Sequence, residues 1–147
     1  MDRYRALTGC VVGGGAVLWL ALYLALNGVC FILLVGLGGE EETPDRLLAV
    51  VQVLWLLFPL VLSLLVGMLV SRVLGRRSVV WATILGPMLI ILLVVLARLD
   101  VPGIAIGAAA WPWMVTAHLP LAAAGGYAGG IHGALLVRRR EATLRNA

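Results

Sequence analysis

Apolar residues along this chain fall into four long runs, and the short stretches between the runs carry most of the charge. The runs cover about residues 8–37, 47–70, 78–97 and 113–137. A helix needs about 20 apolar residues to cross the hydrocarbon core of a bilayer, and each run reaches that length. We therefore predict an all-α, polytopic membrane protein in which four transmembrane helices form one domain over residues 1–147.

The three connectors between the runs differ in character. The first, GGEEETPDR, is acidic, and the second, SRVLGRRS, is basic. The third, about 98–112, is apolar, is interrupted by proline and glycine, and leads into Trp111 and Trp113. Because tryptophan is enriched at membrane–water interfaces, we predict that this segment lies in the interface of the outer leaflet. A re-entrant half-helix is the alternative.

The basic residues predict the orientation of the helices. All 11 are arginine; nine fall at the N-terminus, in the second connector or at the C-terminus, and only Arg46 and Arg98 fall on the other side. The positive-inside rule then places both termini in the cytoplasm and the protein in an inner (plasma) membrane. The arginine-only basic set and the abundance of Ala, Gly, Val and Leu are typical of a GC-rich bacterial genome.

Composition excludes several classes of function. Hydrophobic residues make up 63% of the chain and charged residues 12%, whereas a soluble domain carries about 25% charged residues. The net charge of +4 arises from arginines at the ends of apolar runs, so we do not expect a nucleic-acid partner. The expected partners are membrane lipid and other membrane helices, from this chain or from a partner subunit.

Catalytic and metal-binding patterns are not found in the sequence. No acidic or basic residue lies near the middle of a run, although such residues usually mark ion pathways and proton relays. We predict no enzymatic activity, no cofactor and no metal site. The polar residues within the runs either hydrogen-bond between helices, at about 0.6–2 kcal/mol each, or line a polar path; the candidates are Asn27, Gln52, Ser63, His118 and His132.

Small residues in the fourth run form one continuous helical face. At about 100° per residue, its five glycines fall within about 140°. They form two overlapping small-xxx-small ladders, a pattern that lets helix backbones approach closely in membranes. We predict a surface on which another helix packs, from this chain or another copy, made of Ala122, Gly125, Gly126, Gly129, Gly130 and Gly133.

The two histidines of the fourth run border this small face. His118 and His132 are 14 residues apart, a spacing that resembles the paired axial histidines of b-type membrane cytochromes. Ligation of haem b by His118 and His132 would need further ligands from a second helix. Three hypotheses follow: an accessory or structural subunit or homo-oligomer packed through the fourth helix; a small transporter or channel with a pore between protomers; and a haem b electron-transfer subunit.

Overall fold

The computed structural model describes residues 2–38, 45–75, 78–99 and 114–145, and these residues are helical almost throughout. The prediction of an all-α protein with four long helices is confirmed. Helix α1 covers Asp2–Gly38, α2 covers Asp45–Leu74, α3 covers Val79–Arg98 and α4 covers Leu119–Arg145. A π-helical turn, Met114–His118, leads directly into α4.

Part of the predicted organisation falls outside the described residues. The undescribed parts include the outer segment 98–112 beyond Leu99, Trp111 and Trp113 at its end, and the acidic run of the first connector. The four helices overlap the four predicted runs; α1 begins six residues before its run, and α4 ends eight residues after its run.

Three of the four helices are long and apolar enough to cross a membrane, over Ala6–Cys30, Ala49–Leu74 and Val79–Leu96. Helix α4 is less apolar because its central turns contain five glycines, Tyr127 and His132. Its packing nevertheless places it beside the middle of α2 and α3, as the glycine contacts below establish. The helices therefore form one bundle, as expected of a small integral membrane protein.

One glycine ladder of α4 packs against the backbone of α2. A methyl group added to Gly125 would collide with the carbonyl oxygen of Leu60, and one added to Gly129 with that of Leu64. One added to Gly133 would lie 2.5 Å from the carbonyl oxygen of Met68 and 3.0 Å from the Ser71 side chain. The contacts advance by four residues in the same direction on both helices, so α2 and α4 run parallel.

The second ladder of α4 packs against α3. A methyl group on Gly126 would collide with the carbonyl oxygen of Ala82, and one on Gly130 would lie 3.2 Å from the Cα of Val79. Here the contacts advance in opposite directions, so α3 and α4 are antiparallel. Gly67 of α2 fits into the same junction, because a methyl group there would lie 2.8 Å from the carbonyl oxygen of Gly126.

Helix α1 crosses α2 in the antiparallel sense. Gly15, in the first half of α1, lies against Val66 and Val70 in the second half of α2. Asn27, further along α1, accepts a hydrogen bond from Trp55, which lies nearer the start of α2. The four helices thus alternate in direction, and both ends of the described chain lie at one end of the bundle. Arg72 and the exposed arginines 138–140 lie at that end too. That this end faces the cytoplasm stays a prediction.

The turn between α2 and α3 is fixed by one glycine and two buried serines. Gly75 has a φ of +73°, a left-handed conformation that ends helices and favours glycine. Its N–H donates to the carbonyl of Ser71 at 2.9 Å. The Ser78 hydroxyl lies 2.6 Å from the Gly75 carbonyl, to which it donates, and 3.1 Å from the Ser71 hydroxyl. These bonds hold the α2–α3 hairpin that α4 packs against.

A single methyl group tests the close packing of α4. We expect Gly129→Ala to lower the free energy of unfolding by about 1–3 kcal/mol, the usual effect of overpacking, because the new methyl meets the Leu64 backbone. Gly14→Ala is the matched control, since a methyl there meets no atom within 4 Å. Thermal unfolding in detergent measures both; equal midpoints for the two variants would contradict the packing.

Candidate functional site

A buried group of polar and aromatic side chains lies where α1, α2 and the π-helical turn meet. We call it the His118 cluster. Its members are joined by hydrogen bonds or ring contacts and come from three elements: Trp19, Tyr23 and Asn27 of α1, Trp55 and Ser63 of α2, and His118 of the π-helical turn. Because α2 and α3 are otherwise almost wholly apolar here, this cluster is the candidate functional site.

The contribution of α1 follows from helical spacing. Trp19, Tyr23 and Asn27 are four residues apart, so their side chains lie above one another on one face. The rings of Trp19 and Tyr23 stack with centroids 4.7 Å apart and an interplanar angle of 11°. The Asn27 Nδ2 donates to the backbone carbonyl of Tyr23 at 2.7 Å. These contacts make the inward face of α1 a continuous, ordered surface.

The π-helical turn positions His118, and its physical cause lies two residues further on. Pro120 has no N–H to bond to the carbonyl four residues earlier, and its ring crowds that carbonyl. A wider turn over Met114–His118 relieves this crowding, as π-turns inside helices commonly do where the regular ladder is interrupted. His118 is the last residue of this turn, and its imidazole is fully buried.

Three side-chain hydrogen bonds join the cluster across helices. The Trp19 Nε1–H donates to Ser63 Oγ at 2.9 Å, and the Trp55 Nε1–H donates to Asn27 Oδ1 at 2.7 Å. The Tyr23 hydroxyl lies 2.9 Å from His118 Nδ1. Buried polar groups of this kind stabilise a bundle only when they are paired. Each bond involves α1, so together they hold α1 against α2 and the start of α4.

One polar atom of the cluster has no such partner. The Nε2 of His118 is buried, and no group of the described residues hydrogen-bonds to it. The Trp55 ring lies against the imidazole with centroids 4.3 Å apart and an interplanar angle of 60°. A buried, unpaired polar group in a folded protein calls for a specific explanation.

The structure brings together three of the five predicted polar residues. Asn27, Ser63 and His118 belong to the cluster, whereas Gln52 and His132 are exposed on the outside of the bundle. A transport path along Asn27, Gln52 and Ser63 requires that these side chains share a cavity. Gln52 faces outward instead, and Ser63, only 2% exposed, is sealed by the Trp19 indole. The geometry therefore gives no support to that path.

The two histidines do not share an environment. His118 is fully buried and His132 is exposed. Regular helical counting places them about 40° apart at one edge of the helix; Tyr23 and Trp55 cover this edge at His118, whereas it is open at His132. The described residues thus do not fit a haem held by this pair.

All six residues of the predicted small face are buried inside the chain itself: Ala122, Gly125, Gly126, Gly129, Gly130 and Gly133. Helices α2 and α3 cover that face, so a second copy has no access to it. Sequence reasoning missed Trp19, Tyr23 and Trp55. The available signal was the spacing of two aromatic residues and an asparagine at four-residue intervals, a pattern typical of one ordered helix face.

No protein-family model, no curated protein and no solved structure matches this chain. Geometry alone is therefore the basis for a functional proposal. Within the described ranges, no group of three or more His, Cys, Asp or Glu side chains is arranged to hold a metal ion. Cys10 and Cys30 are free thiols, the first exposed and the second buried.

The bond between Tyr23 and His118 is tested by removing one oxygen atom. We expect Tyr23→Phe to lower the free energy of unfolding by about 1–3 kcal/mol, because it leaves both imidazole nitrogens buried without a partner. Tyr127→Phe deletes the same atom from a ring that is 56% exposed and should leave stability unchanged. Unfolding of both variants in one detergent checks this; a stable Tyr23→Phe would contradict the assigned bond.

Proposed function

We propose that this small integral membrane protein is a non-enzymatic accessory or structural subunit that packs against helices of a partner membrane protein. The observation that carries the proposal is an open small-residue face on α1. The membrane character of the helices restricts the setting to a lipid bilayer. Among the three apolar spans, α1 has the smallest buried share and thus the most free surface.

Helix α1 is the least covered of the three apolar spans. Only 11% of its span is buried, against 33% for α2 and 28% for α3. Its buried residues Trp19, Tyr23 and Cys30 lie on the one side that faces the bundle. A helix that contributes so little to its own core has most of its surface available to lipid or to another helix.

The uncovered side of α1 carries small residues at helical spacing. These residues are exposed and lie on the side of α1 opposite Trp19 and Tyr23. They are Gly14, Ala21, Ala25 and Gly28. A methyl group added to Gly14 or Gly28 would meet no atom within 4 Å. Small residues on a membrane helix favour packing against another helix, since van der Waals contact drives association where lipid supplies no hydrophobic force.

The proposed surface differs from the one that the sequence favoured. The glycine face of α4 is occupied inside the chain, whereas exposed glycines at helical spacing on α1 are open to a partner. Gly14 and Gly28 lie near opposite ends of the span, which suits a long helix lying along α1. Self-association through this face is the alternative within the same proposal, and the experiment below separates the two.

The experiment fills the open face with large side chains. Because space is open at both positions, Gly14→Leu with Gly28→Leu should keep the unfolding midpoint but lose associated chains after purification in mild detergent. Val61→Leu with Val95→Leu is the control, as both valines are exposed on other helices. Native mass spectrometry reads the result.

The masses distinguish the possible assemblies. A heavier species that contains other chains, present in wild type and control but lost from the α1 variant, supports an accessory subunit. Multiples of the chain mass that are lost in the same way support a homo-oligomer. A monomer in every sample, across several mild detergents, refutes packing through α1.

A further inference from the structure

The unpaired nitrogen of His118 carries an inference that is independent of the proposed subunit role. The imidazole is 0% exposed, and its Nδ1 lies 2.9 Å from the Tyr23 hydroxyl. A neutral imidazole has one nitrogen that donates a hydrogen bond and one that accepts. Which nitrogen holds the proton therefore decides what Nε2 requires.

The Tyr23 contact selects the tautomer. When the hydroxyl donates to Nδ1, that bond pairs both groups, and the imidazole proton resides on Nε2. In the reverse arrangement, Nδ1–H donates to the Tyr23 oxygen. The phenolic hydrogen and the Nε2 lone pair then both lack a hydrogen-bond partner among the described residues. Since each buried unpaired group costs about 1–3 kcal/mol, the first arrangement is favoured. His118 then presents a buried Nε2–H donor.

We propose that His118 Nε2–H is a binding site for an uncharged oxygen acceptor. Two sources share this chemistry: the carbonyl of a lipid-soluble molecule such as a quinone, and water. A charged ligand is disfavoured, because the cluster contains no carboxylate, lysine or arginine side chain and a buried charge requires a partner. The aromatic rings of Tyr23 and Trp55 beside the imidazole suit a flat apolar molecule with one polar atom.

Trp55 is the cover of this site. Nε2 has no accessible surface, so a ligand reaches it only when a neighbour moves. Trp19 and Tyr23 are almost completely buried, whereas Trp55, which rests on the imidazole, is half-buried and reaches the outside of α2. Its indole is held by the bond to Asn27 Oδ1. Rotation of Trp55 out of this bond exposes the imidazole toward lipid.

The local backbone is irregular at the same position. The π-helical turn ends at His118 itself, and such turns within α-helices occur frequently at functional sites. Wider winding gives the residues of the turn a different set of backbone bonds from a regular helix. The donor, its movable cover and the irregular turn therefore coincide at one place in the bundle.

The test uses the fact that the chain has only two histidines. His132→Gln, at an exposed position, leaves His118 as the single histidine. This protein, labelled with ¹⁵N-histidine, is placed in bilayers of ether-linked lipids, which contain no ester carbonyls. Solid-state NMR then reports which ring nitrogen is protonated and whether that N–H is hydrogen-bonded. The proposal expects a neutral ring with a protonated Nε2.

Two arms identify the source of the oxygen. A hydrogen-bonded Nε2–H with a cross-peak to water protons supports bound water. An Nε2–H whose shift moves into the hydrogen-bonded range only after a short-chain ubiquinone is added supports a lipid-soluble carbonyl. A proton on Nδ1, an Nε2–H that stays unbonded in both arms, or a bonded Nε2–H that responds to neither probe overturns the proposal, the last because it indicates a protein acceptor.

The cover is tested by the rate of hydrogen exchange at Nε2. Trp55→Leu should speed this exchange at least several-fold over its parent, because the smaller side chain leaves the imidazole open. Trp81→Leu is the matched control, since Trp81 is 48% exposed on α3 and lies outside the cluster. Equal exchange rates in the two variants would overturn the role of Trp55 as the cover.

Discussion

The close approach of the α4 backbone to α2 and α3 is the contact on which the rest of the bundle depends. Gly125, Gly129 and Gly133 meet α2, while Gly126 and Gly130 meet α3. In lipid, where the hydrophobic effect does not drive helices together, such contact supplies much of the association energy. Because the two ladders face two helices of opposite direction, α4 fixes the position of each relative to the other.

Helix α1 is attached by different means. Side-chain bonds from Trp19, Tyr23 and Asn27 tie it to the bundle, and apolar side chains on the same side of α1 pack against the core. Because these bonds all lie on one face of α1, the residues on its opposite face are exposed. The molecule thus divides into a tightly packed three-helix unit and a fourth helix that is bound on one side and open on the other.

The sequence predicted the helices well and the site only in part. Apolar run length defines spans, and glycine spacing defines a small face, because both depend on local geometry. Which helix covers that face depends on tertiary packing, so the assignment to α2 and α3 was open. His118 and His132 lie about 40° apart at the edge of one helix face, and sequence spacing alone does not show that neighbouring helices cover this edge at His118 and leave it open at His132. Trp19 and Trp55 were missed since aromatic residues in apolar runs also commonly face lipid.

The two faces of α1 bear on both proposals at once. Ala25 lies on the open face of α1, two residues from Tyr23. Tyr23 lies on the face toward the bundle and hydrogen-bonds to His118. A partner helix that packs on the open face and moves α1 must also change the Tyr23–His118 distance, because a helix transmits displacement as a nearly rigid element. Coupling of this kind is reciprocal: a ligand at Nε2 that shifts the cluster would alter the affinity of α1 for its partner by the same factor.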